Sequence, residues 1–223
     1  MDKNADEVSV GISSLVDDWS SDKQNFDMPW GKLMMWIFLL SDTFIFSVFL
    51  TAYMSVRMTT TADWPPTSEV FALVIAGEHV PLLLIAIMTF ILITSSGTMA
   101  MAVNFAYQGK PQRAAKLMLL TALLGASFVG MQAFEWNKLI FDEGIRPWGN
   151  PYGAEQFGAS FFLITGFHGM HVSVGVIYLA IIANRLRKGF YDGKGYHIVE
   201  ITGLYWHFVD LVWVFIFAFF YLW

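Results

Sequence analysis

The sequence has no cysteine. That excludes disulfides, thiolate nucleophiles and cysteine-ligated metal centres. Charge is scarce as well. Only 14% of the residues are charged, against roughly 25% in ordinary soluble domains. The net charge of -5 comes largely from the first residues, and no basic patch interleaved with aromatics occurs, so nucleic-acid binding is not expected. A nucleophilic triad, a phosphate-binding loop and a nucleotide fingerprint are absent too.

What the chain does have is apolar length. Of its 223 residues 56% are hydrophobic and 17% aromatic. Five runs approach the roughly 20 apolar residues that a spanning helix needs, at about 33–56, 81–105, 114–136, 157–183 and 198–221. Backbone groups in hydrocarbon must bond within the segment, and runs of this length read as helices rather than barrel strands. The expected fold is all-α, an integral membrane bundle of five transmembrane helices forming one domain over 30–223. Residues 1–29, rich in Asp and Glu, lack the basic start and short apolar core of a secretory signal. They read as a retained, partly disordered cytoplasmic tail.

Several local features refine the spans. Trp30 and Tyr53 suit the two membrane interfaces of the first span. The short apolar stretch 70–77 is too short to cross and reads as interfacial or packed on the bundle. Pro81 suits a first helical turn. Ser95-Ser96-Gly97-Thr98 forms a weakly polar patch, and Ala122, Ala126 and Gly130 form a small-residue stripe that suits close helix approach. Ten of the thirteen Lys and Arg residues fall before the first span, between the second and third, or between the fourth and fifth. The positive-inside rule then places the N-terminus inside and the C-terminus outside.

The most informative residues are the ionisable ones inside the spans, because polar groups at that depth are costly. At about 1.5 Å per helical residue, Asp42 and His207 fall roughly 14 Å from the inner surface, and His168 is read as lying near that level. His171 lies about 5 Å nearer to it. His168 and His171 share a helix face, as do His207 and Asp210. This set is open to two readings: a metal or haem site between helices, or buried hydrogen bonds that set helix register. Asp42 is likewise open to proton handling or to bonding between helices. No Lys or Arg lies within its own span to pair with a charge, which favours the neutral acid. Glu135 and Glu200, near span ends, read as interfacial acids that meet hydrogen-bond partners or lipid headgroups.

The phrases around these residues carry more than their spacing does. Phe161–Val172 (FFLITGFHGMHV) and Tyr205–Val214 (YWHFVDLVWV) resemble subunit III of the haem–copper respiratory oxidases in its five-helix form. Leu40-Ser-Asp42-Thr-Phe-Ile-Phe, Pro81-Leu-Leu and Gln132-Ala-Phe-Glu135-Trp follow in that family's order, so that the resemblance covers roughly residues 30–223. The resemblance implies a subunit of a proton-pumping terminal oxidase with no catalytic centre, haem or copper of its own. The haems and copper would lie in partner subunits, with oxygen reduced to water in subunit I. It implies subunit I as the main contact, with subunit II, a small subunit IV and a larger respiratory supercomplex as further partners, and bound phospholipid. It also implies support of assembly and sustained proton uptake, and a place in the bacterial cytoplasmic membrane. Asp42, His168, His171, His207 and Asp210 would be the intramembrane polar core, and Glu135 the family's acid at the end of its span. Where the family usually has Glu at the first of these positions, this chain has Asp42. A related protein associated with nitric oxide reductases is the alternative within the family, and a membrane redox protein with histidine-ligated metal or haem the alternative outside it.

Overall fold

The computed structural model describes residues 29–66, 70–71, 73–75, 78–80, 82–192 and 195–222. The acidic tail and Pro81 lie outside the described residues. Among the described residues five helices are long and apolar enough to cross a membrane: α1 (Trp30–Thr59), α2 (Leu83–Tyr107), α3 (Pro111–Phe141), α4 (Gln156–Arg187) and α5 (His197–Phe217). A π-helical turn, Ala218–Leu222, continues α5. The expected helical bundle is present, with one addition. The connection from α1 to α2 carries a small antiparallel hairpin, β1 (Leu73–Ile75) and β2 (Glu78–Val80). Hydropathy alone did not reveal it, because pairs of three-residue strands leave too short a pattern to separate from a loop.

Most helices outrun the hydrophobic spans. α3 reaches Phe141 and α4 reaches Arg187, because hydropathy marks only the part in hydrocarbon while the helix continues into polar surroundings. Pro111 opens α3, where a missing N–H costs nothing. Arg185 and Arg187 end α4, where cations complement the carbonyl end of the helix dipole.

Consecutive helices run antiparallel. Lys32 near the start of α1 bonds Glu200 near the start of α5, and Gln112 at the start of α3 bonds the carbonyl of Arg187 at the end of α4. At the opposite end an aromatic cluster closes the bundle. Tyr53 stacks obliquely on Phe220 at 4.0 Å and meets Trp64 at 5.7 Å, while Phe71 packs on Tyr221 at 4.5 Å. Tyr53 is therefore 1% exposed and faces the core, not the membrane interface. Val70 and Phe71 are buried, so the start of the short stretch packs on the bundle.

The centre is built around α5. Trp206 lies between glycines of two other helices: a Cβ added at Gly125 of α3 would stand 2.4 Å from its ring, and one added at Gly175 of α4 would stand 3.0 Å from it. The small-residue stripe on α3 is thus only partly the face that packs. Ala122 is buried but Ala126 and Gly130 are exposed, and the close approach falls on Gly125. The buried face of α3 runs through Thr121, Ala122, Gly125, Phe128, Gln132 and Glu135, at the spacing of a helix side packed on neighbours.

Gly125→Ala is expected to lower the thermal midpoint of the purified chain in detergent, because overpacking a close contact costs about 1–3 kcal/mol. Gly130→Ala, with nothing within 4 Å of the added methyl, should leave it at or above wild type. Equal midpoints for the two variants would contradict the slot around Trp206.

Candidate functional site

Indole N–H groups buried in hydrocarbon need acceptors, and α2 supplies both. Trp206 Nε1 donates to Ser95 Oγ at 2.9 Å, and Trp213 Nε1 donates to Thr89 Oγ1 at 3.0 Å. Two further residues of the polar patch on α2 extend this seam. Ser96 Oγ lies 2.6 Å from His207 Nδ1, and Thr98 bonds Thr121 of α3 at 2.7 Å. The hydroxyls of Thr89 and Thr121 were not singled out in the sequence. The two tryptophans seven residues apart were the available signal, since each requires an acceptor on the facing helix.

The five intramembrane ionisable residues fall into separate places. Asp42, 4% exposed, brings Oδ2 to 3.1 Å from His171 Nε2, close in distance but not aligned as a hydrogen bond. His171 Nδ1 lies 2.8 Å from the carbonyl of Phe167. A carbonyl only accepts, so Nδ1 carries the hydrogen. Nε2 of a neutral ring then has only a lone pair facing Asp42. Two lone-pair atoms at 3.1 Å repel unless one holds a proton. A proton on either atom would relieve that repulsion. Asp42 thus finds on another helix the partner its own span lacks. Tyr205 completes this group by donating to the His171 carbonyl at 2.9 Å and stacking on Phe38 at 6.1 Å.

His168 stands apart, 1% exposed. Its ring stacks on Trp213 at 5.5 Å and meets Phe128 and Phe46 edge-on, and neither ring nitrogen has a hydrogen-bond partner. Asp210 lies on the buried side of α5 with Oδ1 unpaired. The depth arithmetic is corrected here: Asp42 meets His171, not His168 or His207. Lys32 pairs with Glu200, and ten residues further along these parallel helices stand Asp42 and Asp210, which leaves His207 about one turn lower. Helix ends shifted by a few residues from the hydropathy limits are enough to cause the change. Among the described residues no three of His, Asp or Glu converge as a metal site would require.

The two span-end acids also differ from each other. Glu200 is half-buried; it pairs with Lys32 at 2.6 Å and accepts from the Tyr107 hydroxyl, tying α1, α2 and α5 together. Glu135 turns inward instead. It is 3% exposed, accepts from Gln132 Nε2 at 2.8 Å and lies 3.2 Å from the Tyr221 hydroxyl through both carboxyl oxygens. Between α1 and α5 an apolar groove of about 440 Å³ runs outward from the level of Asp42, lined by Thr43, Phe46, Leu50, Phe208, Val212 and Phe219 among others.

Asp42→Leu is expected to destabilise the bundle by about 1–3 kcal/mol, because His171 Nε2 is left buried without a polar neighbour. Asp42→Asn, of the same shape and able to donate to that nitrogen, should remain close to wild type. Thermal unfolding in detergent separates the two, and equal losses would show that neither the shape nor a donor replaces the carboxyl group itself.

Comparison with known proteins agrees with this arrangement. The sequence model of cytochrome c oxidase subunit III matches residues 23–223. A cytochrome c oxidase subunit 3 of Alkalihalophilus pseudofirmus is 32% identical over 191 residues, covering 85% of each chain. A probable quinol oxidase subunit 3 of Staphylococcus aureus (strain USA300) is 31% identical over 197 residues, covering 88% of this chain and 90% of that one. Five apolar helices and a match along nearly the whole length make this a multi-pass membrane protein that belongs to the cytochrome c oxidase subunit III family.

Proposed function

We propose that the chain is the non-redox accessory subunit of a proton-pumping haem–copper terminal oxidase in the bacterial cytoplasmic membrane. The haems and copper belong to partner subunits, with subunit I as the main contact and oxygen reduced to water there. The observation that carries this reading is the family match over residues 23–223. The division of the intramembrane histidines adds support. His207 is engaged by Ser96, His171 by Phe167 and Asp42, and His168 is packed among rings. Two of these contacts, His171 with Asp42 and His207 with Ser96, join one helix to another.

In this role the chain contributes shape, lipid and proton-holding groups to its neighbours. The α1–α5 groove fits an acyl chain, and the Thr43 hydroxyl along it donates back to the Leu39 carbonyl of its own helix. Asp42 adjoins Thr43 at one end of that groove and lies 3.1 Å from His171, and a buried acid beside an imidazole supports a part in sustaining proton uptake by the partner. The basic residues Lys32, Lys110, Arg113, Arg185 and Lys188 gather at the end of the bundle that carries Glu200, and that end is inside by the positive-inside rule.

Affinity purification of the tagged chain in mild detergent is expected to yield a haem-bearing partner. The chain separated from that partner should be colourless and hold no stoichiometric copper. A haem absorption band retained by the separated chain would falsify the accessory reading. Orientation has its own test, helped by the lack of native cysteine. In right-side-out vesicles a membrane-impermeant maleimide should label Trp148→Cys and spare Lys188→Cys, and the reverse pattern would invert the topology.

A further inference from the structure

Hydroxyls on the outside of the bundle turn back on their own helices. Thr43, Thr94 and Ser127 are exposed, and they donate to the carbonyls of Leu39, Phe90 and Leu124 at 2.8, 2.8 and 2.7 Å. They therefore ask nothing of the lipid. His207 differs. Its ring is partly exposed on the seam between α2 and α5. Ser96 Oγ holds its Nδ1 at 2.6 Å, but its Nε2 has no partner within the chain and is not sealed from the outside. His207 stands ten residues from the start of α5, about 15 Å along the axis, and fifteen residues before Leu222. The exposed residues around it are apolar: Ile93 and Ala100 of α2, Leu211 and Val214 of α5.

A neutral imidazole carries one hydrogen. On Nδ1 it is donated to Ser96, and Nε2 offers a lone pair. On Nε2 it faces outward, and Nδ1 accepts from Ser96. In either tautomer one polar atom opens from the seam in mid-membrane, where an unmet hydrogen bond costs several kcal/mol.

Each candidate occupant meets this atom differently. An acyl chain covers the apolar surround but offers no hydrogen bond. A headgroup stays at the membrane surface. A lone water there has His207 as its polar neighbour, whereas ordered waters take two to four partners. A second copy on a two-fold axis presents the same atom in the same tautomer, donor to donor or acceptor to acceptor. A helix bearing a hydroxyl satisfies either tautomer, because a hydroxyl donates and accepts at once. Small residues let its backbone come close: Gly97 and Ala100 beside Ser96 are exposed, with nothing within 4 Å of a Cβ added at Gly97.

We propose that the outer seam of α2 and α5 receives a transmembrane helix of another oxidase subunit, which presents a Ser or Thr hydroxyl to His207 Nε2. The inference rests on the accessory-subunit reading and adds to it the face by which this chain docks.

Photo-cross-linking in intact membranes tests the face. Benzoylphenylalanine placed at Ala100 or at Val214, on either side of His207, should form an adduct with a different oxidase subunit, identified by mass spectrometry. His207→Leu tests the atom. The tagged variant, purified in mild detergent, should retain the haem-bearing partner about threefold less than wild type, since single interhelical hydrogen bonds in membranes are modest. Purified alone, it should unfold at or above the wild-type midpoint, because leucine suits a lipid-facing position. Adducts with lipid alone, or with a second copy of this chain, overturn the proposal. Full retention of the partner by His207→Leu with a lowered midpoint also overturns it and assigns His207 to internal bonding. Failure of the wild-type chain to bring down any oxidase subunit is a separate result and takes the accessory reading down with this one.

Discussion

Two indole N–H groups, sunk in a bundle that uses lipid as its solvent, set the terms for the rest of the chain. Hydrocarbon offers them no acceptor, so Trp206 and Trp213 must find one on a neighbouring helix, and they find Ser95 and Thr89. Bonds two helical turns apart lock the register of α5 on α2. The Trp206 ring then needs room, which the bare backbones of Gly125 and Gly175 supply. One side chain thereby draws α2, α3 and α4 to α5. α1 joins this assembly from outside, through the ion pair of Lys32 with Glu200 and the approach of Asp42 to His171.

The same economy governs the ionisable groups. A charge in hydrocarbon is tolerated when it has a partner, and the chain distributes its partners rather than pooling them. Asp42 has His171, Glu200 has Lys32 and Tyr107, Glu135 has Gln132 and Tyr221, and His207 has Ser96. A metal centre would demand the opposite arrangement, several ligands aimed at one point. Distribution suits the accessory role proposed for this chain.

Much of this was legible in the sequence, and what was not has definite causes. The five spans follow from apolar length, and the importance of Asp42, His168, His171, His207 and Asp210 follows from their depth. Partnership was harder to read. Adding up helical rise assigns a level but no direction around the axis, and an error of one turn moves Asp42 from His168 to His171. The stripe at Ala122, Ala126 and Gly130 was visible, but which part of it faces a neighbour depends on helix rotation, and rotation is set by Trp206 from a distant helix. Glu135 reads as interfacial because it is near a span end; Tyr221, almost a hundred residues away and on a π-helical turn, draws it inward. Tyr53 likewise reads as an interface residue until Phe220 and Trp64 claim its ring.

The place of α1 has a consequence for how the protein is made. It precedes α2 to α5 in the chain, yet its main polar partners, His171 and Glu200, and the ring of Tyr205 on which Phe38 stacks, belong to α4 and α5. While α2 and α3 are being inserted, α1 waits in the bilayer with the Asp42 carboxyl facing acyl chains, held by hydrophobicity alone. Assembly order thus reverses synthesis order among these five helices: α1 precedes the others and is the last to be fastened. For that interval the Asp42 carboxyl lacks the imidazole it meets in the finished bundle, so the arrival of α4 both fastens α1 and covers its acid.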